Sequence, residues 1–212
     1  MTTYRDGIRR LDSLATQPPW ASEGELYGWR AHGLFMPLGF APHRPLDAHL
    51  IAVYRSALMH LVEAVDAVEL FAMRASTDAT VPAAIGIRQI LEILDSAGSG
   101  ARAFRETVAE LDRTTTPPPW DPGHLTLGME NDAAARSSLG IATPRAGDCQ
   151  IIAEARSAVP LALGVLALAE DTVAKQGNPD GTLRHAGALA IAGAVAAFDG
   201  HTLGEGSGTG TV

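Results

Sequence analysis

The chain has 212 residues, 46% of them hydrophobic, enough to bury a core in one large domain or two small ones and too apolar for a disordered chain. Net charge is −8, and the 16 basic residues, among which Lys175 is the only lysine, form no cluster. Phosphate surfaces need such a cluster, so neither nucleic acid nor an anionic membrane is expected as a partner.

In chain order, Tyr4 to Leu14 reads as a helix, stopped by Pro18 and Pro19 because proline cannot continue a helix and restricts its predecessor. The stretch YGWRAHGLFMPLGF (27–40) gathers two Tyr/Trp and two Phe residues. It suits packing under a loop or an aromatic wall for an organic ligand. Pro45 to Ala75 is predicted as a long amphipathic helix, with Asp47 in its first turn and Leu50, Tyr54, Ala57, Leu61, Val65, Val68 and Ala72 recurring every three or four residues. Pro82 to Leu94 is a further helix with proline near its start. Ala101 to Leu111, Asp121 to Leu139, Asp148 to Lys175 and Thr182 to Phe198 repeat the helical pattern. Few runs alternate with period two, so the expected class is all-α with about eight helices. The helix from Ile151 to Ala169 carries only Glu154 and Arg156 as charges, which predicts a surrounded, central element bent at Pro160. Gly204 to Gly210 imitates a phosphate loop but has no helix after it and reads as a tail.

The two PPW sites reveal an internal repeat. YRDGIRRLDSLATQPPW (4–20) overlays FRETVAELDRTTTPPPW (104–120) without a gap, and seven of 17 pairs are identical. LGFAPHRPLDAHLIAVYRSAL (38–58) overlays LGIATPRAGDCQIIAEARSAV (139–159), with ten of 21 identical. Unrelated segments match at roughly one position in fifteen. We expect a duplication of halves 1–100 and 101–200, related by a pseudo-two-fold and merged into one helical domain over residues 1–200. Trp20 and Trp120 would then each follow the first helix of a copy, either as packing anchors or facing a shared cleft.

Candidate chemistry sits where the copies differ, because one asymmetric ligand breaks the symmetry. His49, Ser56, His60 and Glu63 fall on one helical stripe. The overlay puts Gln150, Leu161 and Gly164 opposite His49, His60 and Glu63. A histidine one turn from a carboxylate suits general acid/base work, although a solvated polar face has the same pattern. Asp112 and Asp12 recur in both copies, as do Arg55/Arg156 and Arg44/Arg145. The arginines suit salt bridges to Asp12, Asp112, Asp47 and Asp148, or an anion clamp. His124 lies near Glu130 and Asp132, and Arg184 with His185 opens the last helix. The candidate catalytic set is His60, Glu63 and Asp112. The candidate substrate-binding set is His49, Arg55, Trp20, Trp120, His124 and Arg156. His-x-x-Glu lacks the twin that a di-iron bundle needs, so no metal and no cofactor is expected. Cys149, the only cysteine, excludes an internal disulfide. With no apolar leader in MTTYRDGIRR, a reducing cytoplasm is the expected location.

The stretches PPPWDPGHLTLGMEND and LRHAGALAIAGAVAAFDGHTLG resemble small helical actinobacterial proteins of secondary metabolism, among them components of the two-protein aziridine-forming complex of azinomycin-type pathways. The resemblance implies displacement of a sulfate ester by an amine on a carrier-bound substrate. Glu63 or Asp112 with His60 would serve as base, and Arg55 or Arg156 would receive the leaving sulfate. With that resemblance, the expected function is binding or transforming a small polar or anionic substrate of biosynthesis in a pocket between the two halves, within a homo-oligomer or beside a protein partner. The competing expectation is a non-catalytic subunit that stabilises an enzyme. An open polar stripe together with an exposed apolar patch would favour it.

Overall fold

The computed structural model describes residues 3–23, 26–32, 34–40, 45–96, 103–115 and 148–203. They form six helices, α1 (Tyr4–Leu14), α2 (Pro45–Thr77), α3 (Ala83–Ser96), α4 (Phe104–Thr114), α5 (Asp148–Gln176) and α6 (His185–Asp199), and three strands, β1 (Trp20–Glu23), β2 (Leu26–Ala31) and β3 (Leu34–Phe40). The protein is mostly helical, as expected. The sheet was not expected. The helix expected over Asp121 to Leu139, Trp120, His124, Arg44, Arg145 and the glycine-rich tail lie outside the described residues.

Two compact units partition the chain. The first is Met1–Leu58, Glu110–Ala158 and Thr202–Val212, and the second is Met59–Ala109 and Val159–His201. Each draws on both halves of the sequence, so this partition does not follow the boundary at residue 100.

In the first unit, α1 opens with a capping box. Asp6 N donates to Thr3 Oγ1 and Thr3 N to Asp6 Oδ2, which satisfies two otherwise orphaned amides. The sheet is antiparallel in the order β1-β2-β3, with an irregularity between Tyr27 and Gly28. Trp20 on β1 and Tyr27 on β2 stack with centroids 5.9 Å apart. They share a core with Ala48, Ile51 and Ala52 of α2 and Ile152 of α5. His32, at φ 52°, begins the short link between Ala31 and Leu34, which pair directly. The aromatic stretch is therefore a hairpin. Its glycines and Pro37 broke the alternation that marks a strand, while the His-Gly dipeptide was the readable turn signal.

In the second unit, glycine lets helices approach closely. A Cβ at Gly86 of α3 would lie 2.3 Å from Phe71 Cζ of α2, and one at Gly187 of α6 would lie 3.0 Å from Thr172 Cγ2 of α5. Both turns that precede these helices use an aspartate. Thr80 N and Oγ1 donate to Asp78 Oδ1, and Thr182 N and Oγ1 donate to Asp180 Oδ1. Arg105 on α4 joins Asp95 at 2.6 Å and Glu170 at 2.8 Å.

All seven apolar positions read for α2 are buried. The expectation for α5 is corrected. Val159, Ala162, Val165, Leu166 and Ala169 are buried, but Gly164, Ala167 and Leu168 are exposed. An all-apolar pattern carries no information about which side faces the core. The stretch Gln150–Gln176 is long and apolar enough to cross a membrane by length and composition, and 61% of its most apolar window is buried within the chain, as in a core helix.

Candidate functional site

The repeated arginines and aspartates pair in the first unit. The α2 periodicity turns Arg55 inward, and its side chain is 0% exposed. Its Nη1 lies 2.6 Å from Asp12 Oδ1, and Nη2 donates to Thr16 O at 2.9 Å. The Asp12 contact is an ion pair rather than an aligned hydrogen bond. Among the described residues Arg55 Nε and Nη1 have no aligned acceptor. The guanidinium carbon sits 5.7 Å from the Trp20 ring centroid, a cation–π contact, and Trp20 Nε1 donates to Thr16 O. Asp148 in the first turn of α5 accepts from Thr16 N at 2.6 Å and Thr16 Oγ1 at 3.0 Å.

Arg156 on α5 occupies the matching position and is 1% exposed. Its Nη1 donates to Asp112 Oδ1, which also accepts from Tyr54 Oη at 2.5 Å. The guanidinium lies over the Tyr54 ring. Burial first, then the Asp112 hydrogen bond and charge, raise the Tyr54 phenol far above its ordinary range, while Arg156 opposes the shift. Tyr4 Oη donates to Glu154 Oε1 at 2.5 Å, and its phenol is raised by burial and then by Glu154. In the sequence overlay the positions matching Tyr4 and Glu154 hold Phe104 and Val53, so the residue types of this polar pair are not repeated. The sequence reading missed Tyr54. Its signal was the mismatch with Ala155 beside an otherwise matched Arg-Ser pair.

These arginines are held as core ion pairs, which require a partner for every buried charge. Leu50, Ile51, Tyr54, Ile152, Ala155 and Arg156 line a crevice with no room for a water molecule. Asp112 is the more open end of the network, with a side chain 30% exposed.

The polar stripe of α2 is different. His49, His60 and Glu63 are exposed and Ser56 is half-buried. His49 Nδ1 lies 3.3 Å from Ser22 Oγ, and Ser56 Oγ accepts from Trp20 N at 3.5 Å. Among the described residues no hydrogen bond or ion pair joins His60 to Glu63. These two belong to the second unit, whereas Asp112, Arg55, Arg156, Trp20 and His49 belong to the first. No group of three His, Cys, Asp or Glu side chains among the described residues has metal-binding geometry.

No family model, curated protein or solved structure matches this chain.

Proposed function

We propose that the chain is a non-catalytic helical subunit that docks a protein partner against an apolar face of its second unit. The observation that carries this reading is the outer side of α6. Every side chain from Ala186 to Phe198 is apolar or absent. Half of that helix faces solvent, with Leu189 53% exposed. On α5 Leu168 is 40% exposed beside exposed Gly164 and Ala167. Helices apolar on all sides are characteristic of covered positions, and an exposed apolar face is a surface for a partner. The equivalent face of α3 carries exposed Arg88, Gln89 and Glu92 where α6 has Leu189, Ala190 and Gly193. Ile85 and Ile93 of α3 are exposed too, by 42% and 70%, but they stand among these polar side chains.

The scaffold reads as a duplicated gene product with pseudo-two-fold symmetry. Support comes from the matched pairs Arg55–Asp12 and Arg156–Asp112, from Gly86 against Phe71 and Gly187 against Thr172, and from the two aspartate turns. In this reading one copy kept a solvated outer face and the other became a docking face. The resemblance to secondary-metabolism proteins makes a biosynthetic enzyme the first partner to test.

A second reading is favoured by Asp112. A half-open carboxylate fixed by Tyr54 and Arg156 suits a base acting on a small polar or anionic substrate. Under it Arg55, Trp20 and His49 of the same unit keep the substrate-binding roles expected of them, and an aziridine-forming displacement is one such reaction.

Size-exclusion of a native-host extract separates the readings. Docking predicts elution well above the 22.1 kDa of one chain. It predicts monomer elution for a folded Leu168→Asp/Leu189→Asp chain and no change for His60→Gln/Glu63→Gln. Monomer elution of the unaltered chain contradicts docking.

A further inference from the structure

We infer that the two halves of the sequence are obligate partners. Each half completes both units of the other, so the chain is a joined pair that stays one folded particle when the link between the halves is cut. The first unit takes Met1–Leu58 from the first half and Glu110–Ala158 from the second. In the second unit, residues 59–100 belong to the first half, and residues 101–109 with Val159–His201 belong to the second. Severing the chain at residue 100 therefore leaves either half with a piece of each unit and the whole of neither.

In the first unit, polar groups that are costly to bury are satisfied across the halves. Tyr54 is 2% exposed, and its phenol donates to Asp112 Oδ1 at 2.5 Å, with no other acceptor among the described residues. Asp148 is 1% exposed and accepts from Thr16 N at 2.6 Å and Thr16 Oγ1 at 3.0 Å. Tyr4 donates to Glu154. A buried donor or acceptor that loses its partner keeps its desolvation cost, so a half alone would hold these groups unpaired or open them to water. The apolar core crosses as well, since Trp20, Tyr27, Ala48, Ile51 and Ala52 of the first half close on Ile152 of the second. The Arg55–Asp12 and Arg156–Asp112 pairs lie within a half, but the tyrosine, threonine and core contacts around them cross.

The second unit does the same at a helix end. The first amides of a helix have no acceptor inside it. Those of Ala84 and Ile85, in the first turn of α3, both donate to Gly181 O, at 3.0 and 3.4 Å. Gly181 belongs to the second half and holds φ at 86°. A Cβ there would lie 2.2 Å from Ile85 Cδ1, so glycine allows the approach that brings this carbonyl to α3. Arg105 of the second half closes on Asp95 of the first at 2.6 Å.

A protease recognition site inserted between Gly98 and Ser99 of the full chain tests this. The chain is cut in buffer or, where the site resists, in mild urea followed by dialysis. The fragments should elute together at the mass of the uncut chain and keep its helical circular dichroism. Their melting temperature should rise with concentration more steeply than that of the uncut chain, because unfolding now separates two bodies. Parted in denaturant and refolded singly, each fragment should show little helical signal, and mixing should restore it. Fragments that elute apart, or that each refold alone, overturn the inference. If the insertion prevents folding, hydrogen exchange on the chain without it decides. Asp112→Asn, a change in the second half, should then speed exchange of the amides around Tyr54 in the first half roughly tenfold. Acceleration confined to the second half overturns the inference.

Discussion

Tyr4 and Tyr54 each bury a phenol against a carboxylate, and the consequence is a pH dependence with a definite sign. An unfolded tyrosine ionises near pH 10. Both folded phenols are raised above that by burial and by Glu154 or Asp112. Their contribution is therefore complete below about pH 10 and is lost as pH rises beyond it, because the unfolded chain releases those protons first. Followed by ultraviolet absorbance, two of the three tyrosines should ionise only together with loss of helical circular dichroism. Independent titration of all three in the folded protein near pH 10 would show that these phenols are not buried donors. The ion pairs give a second expectation. Asp12→Asn leaves Arg55 wholly buried without a counter-charge and should cost about 3–5 kcal/mol in a urea titration. Asp112→Asn should cost less, about 1–3 kcal/mol, because water reaches its side chain. Equal and negligible losses would remove both pairs from the core. His60→Gln should leave stability unchanged, as its side chain is exposed.

Helices differ in how tightly glycine holds them together. Gly86→Ala drives a methyl into Phe71 and should cost about 1–3 kcal/mol through overpacking. Gly187→Ala meets Thr172 less closely and should cost less. Gly164→Ala enters open space and should stabilise α5 by about 0.5–1 kcal/mol. Thermal melts of the three variants check the order, and any other ranking contradicts the packing described for α2–α3 and α5–α6. The same elements show what was legible beforehand. The α2 core positions could be read because polar residues interrupt the apolar ones and so define a side. Between Val159 and Ala169 of α5 and between Ala186 and Phe198 of α6 no polar residue marks the outer side, and burial could not be assigned from pattern. The hairpin was hidden because Gly28, Gly33, Pro37 and Gly39 dilute its alternation. Within the candidate site, repetition made it readable that Arg55 and Arg156 could pair with repeated aspartates, but not that the partners would be Asp12 and Asp112 rather than Asp47 and Asp148. Tyr54 was not readable, because its hydroxyl rides on a ring that fits the apolar periodicity equally well.

At the scale of the molecule, the buried pairs Arg55–Asp12 and Arg156–Asp112 keep the same residue types at matched sequence positions, whereas Tyr4–Glu154 and the outer faces of α3 and α6 have no such match. If the proposed docking holds, the α6 face is covered in the working protein and the α3 face is not. A photo-crosslinking residue introduced at Leu189 reads this out, with the same residue at exposed Arg88 of α3 as the comparison. On irradiation in the native host, position 189 should give a discrete protein adduct, to a second copy or to another chain, and position 88 should give none. Equal yields at the two positions, or no adduct at 189, would contradict the account.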